Sequence, residues 1–117
     1  MSYVLLIVEP CGQRSARSEA EGRAAYAQMV GFAEELKSRG VLKAAESLVA
    51  DDRATRLAIR AGRSVAIDGP FSEAKEMVGG FFLLDVASRD EALAIAAQCP
   101  AAQWATVEVR ESGPCFA

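Results

Sequence analysis

The chain has 117 residues, 51% of them apolar, with 13 basic and 16 acidic side chains and no histidine. That length suits one domain spanning residues 1–117, with a core that needs neither disulfides nor a structural metal. A net charge of −3 with mixed signs argues against a general phosphate-backbone binder, and the missing histidine excludes His-dependent triads, His-ligated zinc and His-bound haem.

Further exclusions follow from pattern. No apolar run approaches the roughly 20 residues that cross a bilayer. Met1-Ser2-Tyr3-Val4-Leu5-Leu6 lacks the basic start and small-residue cleavage site of a signal peptide. Cys11, Cys99 and Cys115 form no CxxC pair and read as free thiols in a reducing compartment. The expected location is cytoplasmic. Glycine-rich phosphate loops are missing, so neither ATP nor NAD is supported and no cofactor is expected.

Tyr3 to Val8 is a continuous apolar run, as in a strand covered on both faces, and Glu9-Pro10-Cys11-Gly12 ends it. Ser18 with Glu21 makes a capping box that opens a long helix, expected over about 18–39. Ala25, Met29, Phe32 and Leu36 fall on one stripe of it, and Gly40 supplies the stop. Val41–Ser47 fits a returning strand. Thr55–Arg60 alternates, and after Ala61-Gly62-Arg63 a second alternating run with Val65 and Ile67 in phase completes a hairpin. The nearby Arg53, Arg56, Arg60 and Arg63 read as a solvated strand face.

Gly79-Gly80 precede Phe81-Phe82-Leu83-Leu84-Asp85-Val86, a second strand apolar on both faces. Ser88 with Glu91 opens another helix, which Pro100 terminates after Cys99. In the last strand, Trp104 to Arg110, Ala105, Val107 and Val109 face one way. The remaining tail reads as loose.

Strand, helix, strand, hairpin, strand, helix, strand is the order of an α+β fold. Its ferredoxin-like antiparallel sheet carries two helices on one face, with an extra β-hairpin inserted. Two helices cover one face only, yet the strands at 3–8 and 81–86 carry large apolar side chains on both. Left in water, the second face would be an unusually large apolar patch. A second copy of the chain, packed sheet to sheet about a two-fold axis, is the simplest cover, so a homodimer is expected.

The richest stretch for chemistry is Asp68-Gly69-Pro70-Phe71-Ser72-Glu73-Ala74-Lys75-Glu76, where a stiff turn stands among titratable groups. Two readings of Asp68 stand. It could be a base or ligand anchor in a pocket between the sheet and a partner, its pKa set by burial and by cations such as Lys75. It could equally accept backbone N–H bonds in an Asx-type turn ahead of Pro70. Glu73, Lys75 and Glu76 would share one helical turn or a solvated loop. Glu46, in a small apolar stretch, is a second carboxylate that would form an acid–base couple if it met Asp68. Phe71, Phe81 and Phe82 suit a cavity lining or the core. Tyr26 and Trp104 suit a polar-tipped cavity wall or core packing.

With these residues in view, the chain resembles the YCII-related proteins, in the branch named for its Asp-Gly-Pro-Phe motif. The resemblance rests on Tyr3-Val4-Leu5-Leu6-Ile7, on Phe32-Ala33-Glu34-Glu35-Leu36 with Gly40-Val41-Leu42, and on Glu46-Ser47-Leu48. It continues through Asp68-Gly69-Pro70-Phe71 with Glu73, Lys75 and Glu76, Gly79-Gly80-Phe81-Phe82-Leu83, Asp90-Glu91-Ala92, Cys99-Pro100-Ala101-Ala102 and Val107-Glu108-Val109-Arg110. It implies a dimeric α+β barrel of unassigned biochemical role. It also implies a bacterial setting in which many members are encoded beside extracytoplasmic-function sigma factors. Some relatives have been proposed to use a His–Asp pair; without histidine, only its aspartate, Asp68, carries over.

Two functions are therefore expected. One is a ligand pocket near the dimer interface, bounded by Glu46, Pro70, Phe71, Glu73 and Lys75, with Asp68 as the catalytic group of a cofactor-independent acid–base enzyme. The other is a non-enzymatic sensor or regulatory module tied to a sigma factor. Neither needs a metal, a nucleic acid or a membrane.

Overall fold

Alternation in β1 (Ser2–Pro10) sorts its side chains cleanly: Tyr3, Leu5, Ile7 and Glu9 are buried, while Ser2, Val4, Leu6 and Val8 are half-buried on the other face. A computed structural model, describing residues 1–117, places this strand inside a four-stranded antiparallel sheet of order β2-β5-β1-β6. β2 is Leu42–Ser47, β5 is Glu76–Asp85 and β6 is Thr106–Glu111. Helices α1 (Glu19–Ser38) and α2 (Arg89–Gln98) supply the buried Phe32, Leu36, Ala92 and Ile95 to the face of Leu5, Phe82 and Leu84. The connectivity and sheet order are those of the ferredoxin-like α+β fold.

Both helix starts follow the expected chemistry, one completely. At α1 the Ser18 hydroxyl accepts from the Glu21 N–H, and the Glu21 carboxylate accepts from the Ser18 N–H. At α2 the Ser88 hydroxyl accepts from the Glu91 N–H, but Glu91 reaches past the cap to the N–H of Ala87. β5 begins at Glu76, five residues before the apolar run suggests, because Gly79 and Gly80 stay in the strand.

The inserted hairpin, β3 (Thr55–Arg60) and β4 (Arg63–Asp68), forms a separate two-stranded sheet. Ala61 and Gly62 turn it with positive φ angles of 50° and 76°, the two-residue geometry that matches strand twist. Leu57 (66% exposed), Ile59 (58%) and Ile67 (57%) lie open on this arm. It stretches the chain to a radius of gyration of 16.0 Å, with extents of 45 × 41 × 19 Å. A compact domain of this length would have about 13 Å. No helix is long and apolar enough to cross a membrane.

The α1 cap is open to direct test. Ser18→Ala should lower the unfolding free energy by about 1 kcal/mol in urea titrations. The hydrogen bonds from Ser18 hold the Glu21 carboxyl below its ordinary 4.5. A depressed folded pKa means that this contribution is whole above about pH 4.5 and is lost as the pH falls through the lower folded value. The stability gap between wild type and Glu21→Ala should narrow over that acid range.

Candidate functional site

A carboxylate on the buried face of a strand must find a cation or be neutralised, because desolvating it alone is prohibitive. Glu9 holds the fourth buried position of β1, only 6% exposed, and Arg14 from the following loop meets it as a two-point fork. Arg14 Nη2 donates to Glu9 Oε1 at 2.7 Å and Nε to Oε2 at 3.1 Å. The same guanidinium donates to the carbonyls of Leu48 at 2.7 Å and Gly79 at 3.3 Å. One loop residue thereby joins the ends of β1, β2 and β5.

The fork fits because β5 is bulged there. Ile7 pairs with Gly80 and Val8 with Val78, leaving Gly79 without a partner in the register. A Cβ at Gly79 would run into the Glu9 carboxylate and come within 2.8 Å of Arg14 Nη2. Glycine here makes room for an ion pair.

Beside the fork lies a cavity of about 430 Å³ between α1 and the sheet. Ile7, Ala45, Gly80 and Phe82 form its floor, and Ala25, Met29 and Ala33 of α1 its roof. Tyr26 and Trp104 stand in the wall, as polar-tipped aromatics suited to that place. At the polar end are Glu9, Arg14 and Arg17, the last with its guanidinium 5.6 Å from the Trp104 ring centroid. Gln13 Nε2 donates to the Trp104 carbonyl at 2.7 Å and so fastens this loop across the cavity end.

The residues singled out by motif gather elsewhere. Asp68 is exposed at the foot of the hairpin and accepts the Thr55 hydroxyl proton at 2.7 Å. The Gly69 N–H donates to the Ala54 carbonyl at 2.8 Å, and a side chain at Gly69 would collide with the Asp51 carbonyl. The Gly69–Pro70 bond is cis. Phe71 is buried, with the Arg56 guanidinium 3.8 Å from its ring centroid and 3.4 Å from Glu73 Oε1. Lys75 is exposed and its carbonyl accepts from the Cys11 N–H at 2.9 Å. Ser72 and Glu73 form a turn and Glu76 already belongs to β5, so no helical turn joins Glu73, Lys75 and Glu76. Glu46 pairs with Phe81, which puts its side chain on the face away from the helices. Glu46 is nevertheless among the residues lining the cavity, and no bond links it to Asp68.

Motif reasoning thus passes over Glu9, Arg14 and Arg17. Strand parity carries the missed signal: Glu9 is in phase with Leu5 and Ile7, and two arginines follow within eight residues. Among the thiols, Cys11 is pushed up by partial burial and then by Asp51, whose carboxylate lies 3.8 Å from its sulfur. Burial pushes Cys99 up. Both shifts disfavour the reactive thiolate. No three Cys, Asp or Glu side chains cluster as metal ligands.

The model of the YCII-related domain matches residues 1–113. Over 93 residues the chain is 34% identical to an uncharacterized protein of Rhizobium meliloti (strain 1021), an alignment that spans 80% of this chain and 75% of that protein.

Removing either member of the fork should be expensive. Arg14→Ala leaves a carboxylate buried without its cation and should cost about 3 kcal/mol in chemical denaturation, at the low end for buried pairs because Arg14 is one-third exposed. Gly79→Ala should cost about 1–3 kcal/mol by overpacking the same pair.

Proposed function

The chain belongs to the YCII-related family, and on that premise we propose that it is a homodimeric protein binding a small organic molecule in the cavity between α1 and the sheet. The cavity carries the reading. Its 430 Å³ and predominantly apolar lining fall in the range of small-molecule sites, with a few polar groups collected at one end. Both Glu9 oxygens are engaged by Arg14, which favours a binding site over a proton-transferring one. A ligand sensor in a bacterial regulatory setting suits that chemistry. In this reading Asp68 secures the foot of the hairpin arm, and the three free cysteines support a cytoplasmic location.

The homodimer is supported by the sheet face turned away from the helices. Val4, Leu6, Val8, Phe81 and Leu83 lie there half-exposed, and Val78 is 44% exposed. No other layer of the chain covers them, and a second copy would do so by the same residues.

Two measurements decide the reading. In a thermal-shift screen of metabolites, small amphipathic molecules should raise the melting temperature of the wild type. Ala33→Phe, which fills the cavity, should abolish that rise while keeping the circular dichroism spectrum. Ligands that stabilise both proteins equally would remove the cavity from the reading. In light scattering the wild type should have twice the chain mass, and the combined Leu6→Asp and Phe81→Asp variant, altered at facing register positions, should be monomeric. A single-chain mass for dilute wild type would end the dimer claim.

A further inference from the structure

The two arginines at the polar end of the cavity are not equivalent. Arg14 is spent: its three nitrogens donate to Glu9, Leu48 and Gly79. Arg17 makes a single side-chain hydrogen bond, from Nη2 to Gln13 Oε1 at 3.4 Å, out of the five N–H donors a guanidinium carries. No carboxylate lies within ion-pair distance of it. The nearby acids are committed, Glu21 to the Ser18 N–H at 2.9 Å and Glu19 to Arg23 at 2.8 Å. Glu9 and Arg14 cancel; Glu21 keeps its charge and feels Arg17 at a distance, but no carboxylate is in direct contact with the Arg17 guanidinium, whose remaining donors stay free for a ligand.

Its setting is ordered. The Arg17 guanidinium carbon lies over the Trp104 ring at 5.6 Å from its centroid, within cation–π range, and Gln13, which accepts from Arg17, is itself tied to the Trp104 carbonyl. What remains unsatisfied is a planar set of N–H donors beside an apolar chamber. The shape and charge that match such a set are those of a carboxylate.

We infer that the ligand is an amphipathic monocarboxylic acid, its carboxylate on Arg17 and its hydrocarbon or aryl body against Ile7, Met29, Ala33 and Phe82. This deepens the cavity reading and rests on it. A bare phosphate would leave the apolar floor and roof uncovered. An amine would meet the wrong sign of charge, and a neutral amide would lose the ionic part of the bond.

Trp104, the single tryptophan, is a built-in reporter because it lines the cavity beneath Arg17. The probes are 3-phenylpropanoate, 3-phenylpropanamide and 3-phenylpropan-1-amine, titrated by intrinsic fluorescence. The acid should give a saturable change and bind at least about tenfold more tightly than the other two. Added salt should weaken the acid selectively. Arg17→Gln should bring the acid to the level of the amide, whereas Arg17→Lys should keep part of the preference, and circular dichroism confirms that both variants are folded. Equal binding of acid and amide by wild type, no saturable response to the acid, or a preference that survives Arg17→Gln would overturn the inference. Competition by inorganic phosphate as strong as that of the acid would do the same. Ala33→Phe separates the two levels. If it abolishes binding of the probes while Arg17→Gln leaves their ranking unchanged, the cavity stands and the carboxylate inference falls. If the probes bind Ala33→Phe as they bind wild type, both fall.

Discussion

Glu9 stands on the same face of β1 as Tyr3, Leu5 and Ile7, where an unpaired carboxylate would cost several kcal/mol. Its cation comes from a loop, and the fork closes only because the opposing strand offers a residue without a Cβ. The bulge at Gly79, the position of Arg14 and the burial of Glu9 are therefore one arrangement. The consequences spread outward. Arg14 holds the Leu48 carbonyl and so fixes where β2 ends, and the loop it belongs to presents Gln13 and Arg17 to Trp104. An apolar residue at position 9 would leave Arg14 with two carbonyls and no counter-charge. The polar end of the cavity would lose its shape along with its neutral pair.

The Asp-Gly-Pro-Phe turn solves a different problem. A two-stranded hairpin is marginal by itself, and this one joins no other sheet. Its foot is locked from three directions. Thr55 donates to Asp68 across the first register pair, Gly69 allows the close approach of the Asp51 carbonyl, and Phe71 is buried under the Arg56 guanidinium. The contacts of the motif's side chains are with an arm that leaves Leu57, Ile59 and Ile67 in water. None of these motif residues lines the cavity between α1 and the sheet.

How far the sequence could be read follows from which forces are local. Caps, turns and period-two alternation are decided within a few residues, so both helices, the hairpin and the core parity of β6 were legible from Ser18, Ser88, Ala61-Gly62 and Val107 with Val109. The Glu9–Arg14–Gly79 arrangement was not legible, since it joins positions 65 residues apart along the chain and hinges on a bulge that shifts register by one. Gly79-Gly80 read as the approach to a strand because glycine lowers strand propensity; their reason lies in what sits opposite. For Tyr26 and Trp104 amphipathic character left cavity wall and core packing both open, and did not locate the cavity between α1 and the sheet where they stand. Glu46 could not be oriented, because its face depends on pairing with Phe81 after an irregularity between Leu42 and Ala44.

The cavity itself comes from side-chain size along one helix stripe. At the C-terminal half of α1, Phe32 and Leu36 are large and dock on the sheet, Phe32 meeting Phe82 edge to face with ring centroids 5.2 Å apart. Before Phe32 the same stripe carries Ala25 and the slender Met29, with Gly22 and, one residue past Phe32, Ala33 beside it. Opposite them the sheet offers Gly79, Gly80 and Ala45 between Ile7 and Phe82, so the small residues leave a gap bordered by larger ones. Helix and sheet are thus held at a separation set by the large pair and left unfilled where the glycines and alanines meet. Closing that gap by helix movement would pull Phe32 from Phe82 at one end and crowd Arg17 on Trp104 at the other. A fixed spacing with an unfilled end leaves a cavity of about 430 Å³ inside a chain of 117 residues.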